Sequence, residues 1–305
     1  MFHSSRGFPQ HLSDDVPALA GFAQPHIEPN ASRINRLDNP KQKSPFCGGL
    51  LCDTERYETL LAQVLASPLG SLQGSQTSAI PLFQQAKSLH RAGTSYAHLN
   101  LSQQVFSAQN FKGTNFSNTQ LQNCNFSDAD LSRACLKDAR LQEALLSRAN
   151  LNQAQCERAN FSKANLEEAQ LEEADLRHAN LNDANLKGAN LKKANLERAS
   201  LVNADLEEAN LEKANCHQAN LHGANLESAN LTKTDFTKAN LTEANLSYAD
   251  AYHANFVGAV ADRANFHKIK AEGADFTKAS LRETYWVQAK LTGACFNSAD
   301  LTKAN

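Results

Sequence analysis

From Leu101 to Leu301, every fifth position of the chain is large and apolar, with few exceptions. The 41 positions 101, 106, 111 and onward hold 25 Leu, 10 Phe, Trp286, two Cys and three Ala. The residue two before each of them is Ala at 32 of 41, and the residue immediately before is Asn or Asp at 27 of 41. Ala164-Asn165-Leu166-Glu167-Glu168 thus returns little changed as Ala224-Asn225-Leu226-Glu227-Ser228. A period of five matches neither the strand period of two nor the helix period of 3.6. On a helix, Leu at every fifth residue would drift around the axis and build no stripe, so the abundant Ala does not signal helix here. The period predicts a solenoid that turns a corner every five residues.

These tandem units, from about residue 96 to 305, resemble the pentapeptide-repeat family over roughly two thirds of the chain. The resemblance implies an all-β fold, a right-handed quadrilateral β-helix with four pentapeptides per coil and about ten coils. It places the Leu or Phe and the small residue two before it inside, with the other three outside. Leu166, Leu186, Leu206 and Leu226 then form one core column, and Phe236, Phe256, Phe276 and Phe296 a stacked aromatic one.

A coil of twenty residues can be tested within the sequence, because residues twenty apart would stack at about 4.8 Å. Opposite charges should then alternate up each outer column and like charges be avoided. Glu157, Arg177, Glu197, His217 form one such column; Glu167, Lys187, Glu207 and Glu172, Lys192, Glu212 form two more, and Lys163, Asp183, Asn203 a fourth. Glu173, Lys193, Lys213, Lys233 is the exception, stacking three lysines. Cys156 and Cys216 share the aromatic column three coils apart, too far for a disulfide, and read as small core residues. Where Ala251, Ala261 and Ala271 thin the interior, Phe256, Phe266, Phe276 and Trp286 are expected to refill it. The six repeat glycines all fall two after an inward residue, a turn position that tolerates unusual φ. All eight prolines lie at or before Pro81, as expected if a proline inside the stack would delete a ladder hydrogen bond.

The first hundred residues differ. Residues 1–45, rich in Pro, Ser, Asn and His without periodicity, read as a disordered leader. Residues 46–95 read as a helical N-terminal cap for the repeat domain at 96–305. Asp53 is placed to cap a helix running to about Ala66, and a second short helix is expected from Pro81 to near Gly93. The repeats reach Asn305 in mid-unit, which leaves two readings: an exposed edge that pairs two copies end to end, or a longer natural chain.

Charge and composition narrow the chemistry. Thirty Lys plus Arg against 32 Asp plus Glu leave a net charge of −2, which suits neither a general polyanion binder nor a strongly acidic decoy, and direct nucleic-acid binding is not expected. No apolar run approaches the ~20 residues of a membrane span, and the start lacks a signal peptide's charged and apolar regions. Seven cysteines without a regular framework suggest a reducing compartment. Cys47 and Cys52 are four residues apart with no second Cys or His pair nearby, a weak pattern for zinc or for a reactive or lipid-modified thiol. His217 and His222, five apart, would diverge on adjacent faces. No catalytic, metal or cofactor site is expected. The one interaction surface the pattern suggests is the lysine stack Lys193, Lys213, Lys233, which could hold an anionic group.

The chain therefore reads as a non-catalytic protein-interaction scaffold. Cys47-Gly48-Gly49, followed after five residues by Glu55-Arg56-Tyr57, resembles the stretch before the repeats in pentapeptide-repeat effectors of type III secretion systems. That resemblance implies export from a bacterium and action inside a host cell, at endomembranes and through protein partners. A second reading follows other members that mimic a B-DNA rod and protect or inhibit DNA gyrase, giving quinolone resistance. Residues 101–305 carry 25 acidic and 22 basic side chains, too balanced a set for that field. A cytoplasmic structural module is the third reading.

Overall fold

The structure, a computed structural model, describes residues 94–305. The leader, the two expected helices, Cys47 and Cys52 lie outside the described residues. Within them the chain repeats one five-residue motif, a turn followed by a single parallel bridge residue. Each bridge joins residues twenty apart, from Ser95 with Asn115 to Ser280 with Asp300, so four pentapeptides close one coil and the next coil lies on top. Four sides follow. We number them by their inward residues: side 1 carries 236, 256 and 276; side 2 carries 241, 261 and 281; side 3 carries 246, 266 and 286; side 4 carries 251, 271 and 291.

The unit around Leu166 shows why the motif is five residues long. Leu166, Glu168 and Gln170 donate backbone N–H bonds to Asn185, Lys187 and Ala149 of the neighbouring coils, and Ala169 donates back across the turn to the Leu166 carbonyl, at 2.7–3.0 Å. One donor remains, the N–H of Glu167, and the Asn165 side chain accepts it at 3.1 Å. Asn or Asp before the inward residue is therefore an Asx cap for the one amide the ladders leave over. The same carboxamides stack as well: Asn265 Nδ2 donates to Asn245, Asn245 to Asn225, and Asn225 to Asp205, at 3.0–3.2 Å.

Where the cap is absent, a second device replaces it at three places. Gln170, Ser200 and Ser280 stand in the cap position, and the amides of Glu172, Val202 and Arg282 instead reach Asn152, Asn182 and Asp262 one coil earlier.

Every third turn residue has positive φ, near 55–71°, at 36 non-glycine positions as well as at the six repeat glycines. Only that residue of each turn is left-handed, which is the type II pattern. The cost for a side chain there, roughly 1–2 kcal/mol, is met by the ladder that each turn feeds. At Gly273 the absent side chain has a further use: the His253 ring lies 2.5 Å from where a Cβ would sit.

The interior is apolar and narrow. Leu166, Leu186, Leu206, Leu226 and the Ala residues two before them are fully buried. Phe236, Phe256, Phe276 and Phe296 stack face to face with centroids 5.1, 4.6 and 4.9 Å apart. Opposite, Phe266 stacks on Trp286 at 4.1 Å. Rings of sides 1 and 3 meet edge-on across the axis, Phe266 to Phe276 at 6.0 Å, in coils where Ala251, Ala261 and Ala271 leave room. Buried hydroxyls are satisfied: Thr119 and Thr234 donate to the carbonyls of Tyr96 and Leu211.

Candidate functional site

The outer surface holds the titratable chemistry, and most of it is organised as rungs. Among the described residues, nine of fifteen ion pairs join residues twenty apart, including Lys187–Glu207 at 2.9 Å, Lys192–Glu212 at 2.8 Å and Arg148–Asp128 at 2.8 Å. Two columns depart from simple alternation. Arg177 turns to Asp175 in its own turn, at 2.6 Å, rather than to Glu157 or Glu197. Asp183 accepts from Asn203 at 3.4 Å. The Arg148 guanidinium holds the Asp128 carboxyl below its usual range, and Lys192 with Lys213 lowers Glu212 to about 2.

The three stacked lysines stand at the left-handed corner position that follows side 4. Their ammonium groups diverge: Lys193 pairs with Glu173 at 2.8 Å, Lys213 with Glu212 at 2.7 Å, and Lys233 is exposed with no ion pair among the described residues. His217 and His222 sit on different sides, and His222 approaches Glu243 at 4.0 Å. A shallow recess lined by Asp262, Arg263, Arg282 and Glu283 is closed chemically, because Arg282 pairs with Asp262 at 2.8 Å and Arg263 with Glu243. Cys156 and Cys216 are fully buried, and burial pushes both thiols well above their ordinary range; Cys124 is raised to about 11 and donates to the Leu101 carbonyl. Among the described residues no cluster of His, Cys, Asp and Glu could hold a metal ion, and no helix is long and apolar enough to cross a membrane.

One group of residues was not singled out by the sequence pattern. Tyr248 and Tyr285 are 46% and 41% exposed around side 3, with His267 between them at 5.5 and 5.8 Å, and the Lys268 ammonium lies 5.0 Å over the Tyr248 ring. Beside them Lys270 and Lys290 are exposed and stacked on each other. The signal was present as an omission. Lys270, Tyr285 and Lys290 occupy cap positions that Asn or Asp fills at 27 of 41 units, and no side chain replaces the cap at the next amide but one.

This bridge register, with its Asx caps and its Leu and Phe core, is the architecture of a repeat solenoid rather than of an enzyme cleft. The pentapeptide repeat family model matches residues 100–138, 139–177, 169–207, 199–237, 239–277 and 272–305, and the chain belongs to that family. Its members form right-handed quadrilateral β-helices and are generally non-catalytic structural or interaction proteins. Among solved structures, HetL is 29% identical, a pentapeptide repeat protein involved in heterocyst differentiation regulation in the cyanobacterium Nostoc sp. strain PCC 7120. The match covers 73% of this chain and 95% of HetL at a TM-score of 0.41. QnrB1, a plasmid-mediated fluoroquinolone resistance protein, is 18% identical over 68% of this chain and 93% of its own, at 0.34. A pentapeptide repeat protein of the Arabidopsis thaliana thylakoid lumen is 31% identical over 34% of this chain and 69% of its own, at 0.24. No curated protein matches the chain.

Proposed function

We propose that the chain is a non-catalytic scaffold that binds a partner protein along the sides of its repeat stack. The observation that carries this reading is the surface itself. Outward side chains stand in columns at a fixed spacing of about 4.8 Å, and carboxylates that could serve as acids or bases are instead tied into rungs such as Lys187–Glu207 and Arg263–Glu243. Rigid columns of this kind present many groups to a partner at little entropic cost. The corner holding Lys193, Lys213 and Lys233 is one proposed contact, with Lys233 its unpaired member. Cross-linking and capture of partners from host-cell and bacterial lysates, wild type against a triple Lys→Glu variant at 193, 213 and 233, tests it. A partner retained equally by both proteins would remove this corner from the proposal.

The finer reading is a secreted bacterial effector acting in host cells at endomembranes. It rests on residues 46–66 and the leader, so its test is a translocation reporter fused to the chain with and without residues 1–45. Unchanged export would end it. The gyrase-binding alternative meets the rungs, which cancel the field a DNA mimic needs; a supercoiling assay showing dose-dependent inhibition at micromolar protein would restore it.

A further inference from the structure

One corner of the stack segregates acidic from basic groups along its length. It follows side 3, at the positions one and two after the inward residue. Its central coils are acidic: Glu207, Glu208 and Glu227 follow Glu167 and Glu168, with Lys187, paired to Glu207, as the one basic group among them. One coil further the same corner becomes aromatic at Tyr248, and then basic at Lys268, with Lys270 and Lys290 adjacent on side 4. Asp250 and Glu272 flank Lys270, yet none of these three lysines has a carboxylate within ion-pair distance among the described residues.

The basic half runs against the fold's own rules. Lys270 bridges directly to Lys290, a like-charge rung that is destabilising in a sheet. Lys270, Tyr285 and Lys290 also forgo the Asx cap, as Val105, Gln120 and Arg140 do elsewhere in the stack. What sets this patch apart is a like-charge rung beside exposed aromatic rings, which points to a surface kept for a contact.

We propose that this corner is the interface of a side-by-side, antiparallel homodimer. A two-fold contact needs a surface complementary to its own rotated copy. With the axis at Tyr248, Lys268 lies one coil beyond the axis and meets Glu227, one coil before it on the other copy. Lys290, two coils beyond, meets Glu207 and Glu208, two coils before. Tyr248 and its copy lie at the centre with charge around them, the arrangement of an apolar core and polar rim. Within one copy the two halves are about 10–20 Å apart, more than the ~8 Å screening length at physiological salt, so they do not neutralise each other. An acidic or a basic partner of another kind would satisfy one half only; a second copy satisfies both.

Charge reversal tests this with the full chain. Corner positions accept either sign in this fold, as Lys213 and Glu208 show, and the acidic Asp275 and Asp300 occupy the same repeat position as Lys290, so the variants should fold and circular dichroism checks it. In sedimentation equilibrium at 50 mM salt the wild type should dimerise and at 500 mM dissociate. Glu208→Lys with Glu227→Lys, and separately Lys268→Glu with Lys290→Glu, should each weaken the dimer at least about tenfold. Mixing the two variants should restore a heterodimer, since both of its contacts are again between opposite charges. A wild type that stays monomeric at low salt up to about 100 μM, a dimer kept by either variant alone, or a mixture without heterodimer would overturn the proposal.

Discussion

The middle of the stack and its C-terminal coils solve the same geometric problem differently. Around Leu166 to Leu246 the inward residue is almost always Leu, the residue two before is Ala, and Asn or Asp caps nearly every turn. From Ala251 to Phe276 inward residues alternate between Ala and Phe, and from Val260 onward several caps give way, to Val260, Lys270, Tyr285, Lys290 and Cys295. Yet the bridge register does not change by a residue. The backbone ladder and the turns therefore fix the coil, while the core needs only a constant filling volume per coil. Phe256, Phe266 and Phe276 supply it by crossing the axis where Leu would not reach. The caps contribute stability that the C-terminal coils give up for surface chemistry.

The largest effect that could break this comparison is in the core. Phe266→Ala removes a ring in contact with Phe256, Phe276 and Trp286, next to alanines that cannot move in. It should cost about 3–5 kcal/mol and Leu186→Ala about 2–4, so the urea midpoint should fall further for Phe266→Ala. An equal or smaller fall would mean that the aromatic coils are not packed across the axis. Next comes the corner. Glu208→Val, with φ at 58°, should lose about 1–2 kcal/mol, whereas Glu207→Val, one residue earlier in the turn, should lose little.

The caps give a smaller effect of opposite sign in the two regions. Asn185→Ala removes a cap from the Lys187 amide and a rung to Asn165, and should lose about 1 kcal/mol. Lys270→Asn adds a cap for Glu272 and relieves the rung with Lys290, and should raise the melting temperature. The smallest is acid sensitivity in the middle coils. Because Glu212 is lowered to about 2, its contribution is complete above the ordinary Glu value near 4.3 and fades as pH falls toward 2. Glu212→Gln should flatten the melting temperature against pH over that window, lowering it slightly at pH 7 and leaving it unchanged near pH 2.

The period of five and the coil of twenty were legible because both are carried by side-chain volume and charge, which the sequence states directly. The left-handed corner was only partly legible. Six glycines mark it, but thirty-six other residues share it, and the sharper sign is negative: Val202, Val257, Val287 and several Thr occupy the residue before, and no Val, Ile or Thr occupies the corner. β-branched side chains are poorly tolerated at positive φ. The meaning of Asn before Leu needed the hydrogen-bond ladder, since only the full set of donors reveals that the Glu167 type of amide is left over. The rescue at Ser200 by Asn182 is a pair eighteen residues apart, a relation visible only once coils are stacked. Side-chain choice within a rung, as when Arg177 prefers Asp175, depends on rotamers that column reading ignores. The tyrosine and lysine corner stayed unnoticed because each residue looks like an ordinary outward one until the coils are stacked and Tyr248, His267, Tyr285 and Lys268 come into contact.

Stacking at twenty residues is tested most directly by engineered disulfides. Residues one coil apart lie at about 4.8 Å, within the 4.4–6.8 Å Cα range of a disulfide. Lys187→Cys with Glu207→Cys should form a mapped cross-link on oxidation of the native protein, and Lys187→Cys with Glu212→Cys should not. A cross-link between 187 and 212 with none between 187 and 207 would contradict the coil on which every other statement about this molecule depends.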